Sequence, residues 1–127
     1  MKKCILVVDD EVKIIKLFSR ILEKENHEIH SASSGDDALN QIKTRGFDLI
    51  LLDLKMPGMD GTETLRKIRE IDQHVPVYIV TAFQNEFRKE LKDLKTDGIH
   101  FELLNKPVLK KQLLHAAKSA LEGPISV

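Results

Sequence analysis

The sequence has no tryptophan, one tyrosine, one cysteine and no excess of charge of either sign across its 127 residues. Each scarcity excludes something. A lone cysteine, Cys4, cannot close an internal disulfide, which argues against a disulfide scaffold and fits a reducing, cytoplasmic setting. Inside an apolar run, Cys4 reads as a small buried hydrophobe. Lysine plus arginine number 20, and aspartate plus glutamate number 20. With no net basic field, direct contact with nucleic acid is not expected, and any electrostatic function must be local. No apolar run is long enough to cross a bilayer, so no membrane role is expected. The opening stretch imitates a signal peptide only as far as Val8, where Asp9-Asp10-Glu11 stops it. The five histidines, His27, His30, His74, His100 and His115, show no zinc-ligand spacing and read as surface or structural residues.

What is there is a regular alternation. Hydrophobic residues make up 42% of the chain and charged residues 31%, as in a folded globular domain. Short apolar runs predict strands at Cys4–Val8, Glu28–Ala32, Leu49–Leu52, Val77–Val80 and Phe101–Leu104. Amphipathic stretches predict helices over Val12–Lys24, from Ser34-Gly35-Asp36-Asp37 to Gly46, over Thr62–Glu70, over Asn85–Lys95 and over Leu109–Leu121. Ser34 and the acids after it suit a helix start, and Gly123-Pro124 suits a helix stop. Five strands alternating with five helices predict an α/β fold, a doubly wound parallel sheet with helices on both faces. Such sheets bind ligands beyond the carboxyl ends of their strands, where the strand order reverses. Leu49-Ile50-Leu51-Leu52 should be a central strand covered on both faces.

The chemistry-bearing residues sit at strand ends. The first strand ends in Asp9-Asp10, the third in Asp53, the fourth in Thr81-Ala82, and the fifth is followed by Asn105-Lys106-Pro107. The predicted fold brings all of these to one edge. Three crowded carboxylates repel one another, and a hard divalent cation with oxygen ligands, Mg²⁺, relieves the repulsion. Lys106 adds a second positive charge, Thr81 a hydroxyl donor, and small Ala82 leaves space. A carboxylate nucleophile, a metal, a cation and a hydroxyl are the equipment for phosphoryl transfer to Asp53. Asp9-Asp10 could also serve as a helix N-cap. Asp60, in the turn Pro57-Gly58-Met59-Asp60-Gly61, reads as exposed and structural.

The sequence resembles the response-regulator receiver domains of two-component signalling over essentially its whole length. Four segments carry the resemblance: Val7-Val8-Asp9-Asp10-Glu11, Leu52-Asp53-Leu54-Lys55-Met56-Pro57-Gly58-Met59-Asp60-Gly61, Thr81-Ala82 and Asn105-Lys106-Pro107. It implies a receiver domain at 1–123 with a short tail at 124–127, a flavodoxin-like sheet of order 2-1-3-4-5, and a cis peptide at Lys106-Pro107. It implies that Asp53 accepts a phosphoryl group from a phosphohistidine on a histidine kinase or phosphotransfer protein. Asp10, Asp53 and the carbonyl of Lys55 would ligate Mg²⁺, with Asp9 acting through a metal-bound water, while Thr81, Ala82 and Lys106 would contact the phosphoryl group. A surface made by the fourth helix, fifth strand and fifth helix would then bind a downstream partner, or an output domain outside this chain.

The sequence departs from the pattern at one place. Receiver domains often carry an aromatic switch residue three positions before the lysine, and here that residue is Leu103. Phe101 is the nearest aromatic, but alternation puts it on the same face as Leu103. Phe83 and Lys55, two residues past Thr81 and Asp53, flank the site; in the family such positions influence how easily water reaches the acyl phosphate, and bulky Phe83 is expected to slow self-hydrolysis. The competing readings are a receiver-fold adaptor that works without phosphorylation and a hydrolase with an aspartyl intermediate. The intact chemical residues count against the first. Against the second, Lys55 stands where a common phosphatase family places its acid. Flavin binding lacks a phosphate loop after the first strand.

Overall fold

In a computed structural model, which describes residues 2–122, the chain forms β1 (Cys4–Val8), α1 (Val12–Glu23), β2 (Glu28–Ala32), α2 (Gly35–Thr44), β3 (Leu49–Leu52), α3 (Gly61–Ile71), β4 (Val77–Thr81), α4 (Arg88–Thr96), β5 (Glu102–Asn105) and α5 (Lys110–Glu122). The expected helix stop at Gly123-Pro124 and the tail at 124–127 lie outside the described residues. All four strand pairings are parallel, in the order β2-β1-β3-β4-β5. This is the doubly wound parallel sheet expected from the alternation, in the flavodoxin-like order that the resemblance implies.

Side-chain alternation along each strand divides the core in two. Leu6, Val8, Ile50, Leu52 and Ile79 pack with α2, α3 and α4 on one face. Ile5, Val7, Leu49, Leu51 and Val80 pack with Phe18 and Leu22 of α1 and Leu113 and Ala117 of α5 on the other. All four residues of β3 are buried, none more than 2% exposed, so this strand is covered on both sides as its sequence demands. Each such aliphatic side chain contributes about 1.5–3 kcal/mol by leaving water.

The helix starts show where side chains compete with the backbone. Ser34 caps α2, its Oγ accepting from the Asp37 N–H at 3.1 Å. Asp60 caps α3, accepting from the Glu63 N–H at 3.0 Å and from the Thr62 hydroxyl at 2.7 Å. It is thus structural, but half-buried rather than exposed. Two expectations need correction. The N-cap of α1 is Glu11, without a side-chain cap, and neither Asp9 nor Asp10 holds that position. Asp9 Oδ1 accepts instead from the Glu11 N–H, 2.9 Å away, ahead of the helix. The α4 helix begins at Arg88, not Asn85. The Arg88 N–H closes a turn onto the Asn85 carbonyl at 3.4 Å, and the Arg88 guanidinium donates to the Asn85 side-chain oxygen at 3.1 Å. Phe87, Leu91 and Leu94 still face the core together.

Candidate functional site

The sheet runs β2-β1-β3, so the chain leaves β1 on one side and returns on the other. The carboxyl ends of β1 and β3 therefore flank the crevice where the order reverses. The backbone ladder continues one residue past the ends of β1, β3 and β5. Asp9 N–H donates to the Ala32 carbonyl at 3.1 Å, Asp53 N–H to Val8 at 2.9 Å, and Lys106 N–H to Thr81 at 2.9 Å. The functional residues are thus the first positions beyond the strands, with their backbones still held by the neighbouring strand.

Their side chains converge. Asp9, Asp10 and Asp53 offer carboxylate oxygens that lie within 4.8 Å of one another. Asp9 and Asp53 are each 3% exposed, while Asp10 is exposed. Lys106 enters from beyond β5 with its Nζ 2.8 Å from Asp9 Oδ2, 3.7 Å from Asp53 Oδ2 and 3.9 Å from Glu11 Oε1. Asp53 Oδ1 accepts from the Leu54 N–H at 2.9 Å. Burial pushes the Asp53 carboxyl up to about 6; the Asp9 and Asp10 charges push the same way, against Lys106 and the Leu54 N–H. Lys106 titrates above the ordinary lysine range. Its burial works against this, but the hydrogen bond to Asp9 and the charges of Asp53, Asp9 and Glu11 outweigh it.

The donor set fits a hard cation. It is all oxygen, with one exposed carboxylate, Asp10, that has no hydrogen-bond or ion-pair partner among the described residues. Both Asp9 oxygens are already engaged, one by the Glu11 N–H and one by Lys106. Mg²⁺ takes one or two carboxylates and keeps several waters, so Asp10 and Asp53 are the pair with ligand capacity to spare.

Around this cluster, Thr81 is fully buried and its Oγ1 accepts from the Phe83 N–H at 2.9 Å, which leaves its own proton to donate. Ala82, next in the chain, is exposed. The Lys55 side chain does not join the acids. Its Nζ lies 4.5 Å from the Phe83 ring centroid and 3.5 Å from Glu86 Oε2, bridging the loops after β3 and β4. Phe101 and Leu103 pack against the same core, as alternation required, and with Gln84, Asn85, Arg88 and Leu91 they line a cavity of about 290 Å³. The Lys106-Pro107 peptide is cis.

Three contributors were not singled out by sequence reasoning. Glu11 was read only as part of an acidic run, yet it reaches Lys106. Glu86 carried no signal. Gly61 was read as a turn residue, but its need for lacking a side chain is steric. A Cβ there would fall 2.3 Å from the Asp53 carbonyl oxygen and 2.7 Å from Leu54 Cα. The Gly61 N–H meanwhile donates to the Leu54 carbonyl at 2.8 Å, so the loop closes tightly behind Asp53.

The response regulator receiver domain model matches residues 5–118. Over 95 residues the chain is 38% identical to sporulation initiation phosphotransferase F of Bacillus subtilis, covering 74% of this chain and 77% of that protein. Over 78 residues it is 49% identical to the transcriptional regulatory protein ResD of the same organism, covering 61% of this chain and 32% of ResD. The matched segment thus spans about a third of that regulator's length. A CheY-like response regulator receiver domain protein from Methanospirillum hungatei superposes with a TM-score of 0.88 at 30% identity, covering 96% of this chain and 95% of that one. The response regulator TrrA from Thermotoga maritima, solved in complex with Mg²⁺-BeF, superposes with a TM-score of 0.80 at 32% identity, covering 94% and 99%. With the acidic crevice, the strand-end lysine and the sheet order in place, this chain belongs to the response regulator receiver domain family of two-component signalling.

Proposed function

We propose that this chain is a phosphoacceptor switch that takes a phosphoryl group on Asp53 from the phosphohistidine of a histidine kinase or phosphotransfer protein. The observation that carries the reading is the convergence of Asp9, Asp10 and Asp53 within 4.8 Å, with Lys106 2.8 Å from Asp9 and 3.7 Å from Asp53. That the similar response regulator TrrA was solved in complex with Mg²⁺-BeF supports the reading.

Asp10, Asp53 and the Lys55 carbonyl would hold Mg²⁺, with Asp9 acting through a bound water. When bound, the ion screens the charge that gathers on the transferring oxygens. The residues do the rest. Leu54 N–H holds Asp53 Oδ1 and leaves Oδ2 facing Lys106. A bond forms from an Asp53 oxygen to phosphorus as the phosphorus–nitrogen bond of the donor breaks, and the imidazole leaves with the electron pair. Asp53 needs no general base, because above about pH 6 it is ionised. Lys106 and the Thr81 hydroxyl then bind the new oxygens, beside the small side chain of Ala82. Turnover is limited to slow self-hydrolysis, because Lys55, two residues past Asp53, stands where a hydrolase of the aspartyl-intermediate type would carry its acid.

Switching follows from Thr81 moving toward the phosphoryl group, with Leu103 and Phe101 adjusting into the adjoining cavity of about 290 Å³. The responding surface is α4, β5 and α5, and the reader is a downstream protein or an output domain outside this chain. Residues 1–123 make up the unit that switches. No described helix is long and apolar enough to cross a membrane, in keeping with a cytoplasmic module.

Titration with Mg²⁺ plus beryllofluoride, read by amide chemical shifts, tests the reading. Saturable binding that Asp53→Asn abolishes is expected. Wild-type protein that ignores the pair would indicate the adaptor instead.

A further inference from the structure

A second group of metal-ligating side chains lies at the opposite end of the sheet, where β1 and β2 begin. Cys4 and Glu28 are direct partners in the parallel register, and His30 follows Glu28 on the same face. Their ligand atoms lie within 4.8 Å of one another. Cys4 Sγ is 3.7 Å from Glu28 Oε2, and His30 Nε2 is 2.6 Å from that same oxygen. All three residues are half-buried, neither fully exposed nor sealed in the core.

We propose that Cys4, Glu28 and His30 form a binding site for zinc or a similar borderline divalent ion, separate from the acidic crevice. Sulfur and imidazole donors select such an ion over Mg²⁺, which prefers oxygen alone. Cysteine sulfur, histidine nitrogen and a carboxylate oxygen are each zinc ligands, and three of them leave a fourth tetrahedral position open for water. The site also has supporting contacts. Phe47 meets the His30 ring edge-on at 5.7 Å between centroids and fixes its plane. Asp48 Oδ2 accepts from the Cys4 N–H at 2.8 Å and steadies the strand start.

Arg45 competes with the ion. Its guanidinium lies 2.6 Å from His30 Nε2 and 3.2 Å from Glu28 Oε2, so the two ligands are held together by a cation the chain itself supplies. His30 Nε2 is then wedged between a carboxylate and a guanidinium, and it cannot donate to one and accept from the other at once. A metal ion resolves this conflict. It takes the ring lone pair, opens the short oxygen–nitrogen approach to the spacing of two ligands on one ion, and sends Arg45 outward. Arg45 is already partly exposed and packs over Phe47, 5.9 Å from the ring centroid. Binding releases the Cys4 thiol proton to solvent. Because the ligands come from two strands, no spacing in the linear sequence announces them.

Cobalt(II) and zinc titrations of the untagged protein, in millimolar Mg²⁺ and a thiol-free reductant, test the site. The expected result is a stoichiometric thiolate-to-cobalt charge-transfer band that zinc displaces. Cys4→Ser should remove the band, and His30→Gln and Glu28→Gln should each weaken binding at least about tenfold. Arg45→Gln keeps every ligand and should tighten binding by about threefold to tenfold, since a competing charge is gone. Asp53→Asn should leave the band unchanged. Absence of the band in wild-type protein overturns the proposal. So does a band that survives His30→Gln and Glu28→Gln, which marks a lone thiol. Binding lost in Asp53→Asn but kept in Cys4→Ser overturns it too, because it places the ion in the acidic crevice.

Discussion

Lys106 gives its shortest contact to Asp9, at 2.8 Å, and stands 3.7 Å from Asp53, the residue it is proposed to serve. One ammonium therefore compensates two buried carboxylates from two different strands. Replacing Lys106 with methionine keeps the stem and removes the charge. Both acids are then left poorly compensated, so Lys106→Met should destabilise the protein by about 1–3 kcal/mol at pH 8. The loss should shrink at pH 5, where Asp53 can protonate. Denaturant unfolding at the two pH values, without divalent ions, checks this.

Asp53 itself opposes folding at neutral pH. Its carboxyl titrates at about 6 in the folded chain against an ordinary value of 3.8. The folded state thus holds the proton more tightly. Its contribution is fully present below about pH 4 and is lost as pH rises to about 6. Asp53→Asn mimics the protonated form and should stabilise the ion-free protein by about 1–3 kcal/mol at pH 7.5, with the gain gone near pH 4. Thermal melts of both proteins across that range measure it. Added Mg²⁺ should narrow the gap at pH 7.5 by stabilising the wild type alone.

Gly61→Ala puts a methyl group against backbone atoms at 2.3 and 2.7 Å, where no flexible side chain can yield. The loop behind Asp53 must shift. The expected cost is about 1–3 kcal/mol of stability, together with slower phosphorylation, because Leu54 N–H no longer holds Asp53 in place. Unfolding and phosphorylation rates, measured on one preparation, check both halves.

Phe83 and Lys55 form a bridge between the loops after β3 and β4, tied to Glu86. Phe83→Ala removes the ring and frees Lys55, and should shorten the lifetime of the acyl phosphate several-fold. Equal lifetimes for wild type and variant would end the idea that this bridge excludes water.

Much of this molecule is legible in its sequence because the signals are local. The apolar run Leu49–Leu52 has to be an interior strand, and Ser34 ahead of Asp36 and Asp37 has to start a helix. Acids and a lysine just past three strand ends must meet once the sheet is parallel. What stayed hidden depends on register or on short-range competition. A turn over residues 84–87, closed by the Arg88 N–H on the Asn85 carbonyl, precedes α4, and an amphipathic pattern does not separate such a turn from the helix it leads into. Asp9 spends its Oδ1 on the Glu11 N–H and so is not the cap its position suggests. The Lys55–Glu86 pair and the meeting of Cys4, Glu28 and His30 join residues far apart in the chain, and only the folded sheet sets them side by side.

The most direct measurement is intact-mass and peptide mapping after exposure to a small acyl phosphate. With Mg²⁺ present, one phosphoryl group should appear on Asp53, vanish when the ion is chelated, and be absent from Asp53→Asn. An unmodified wild-type chain, or a label on any other residue, would contradict the account.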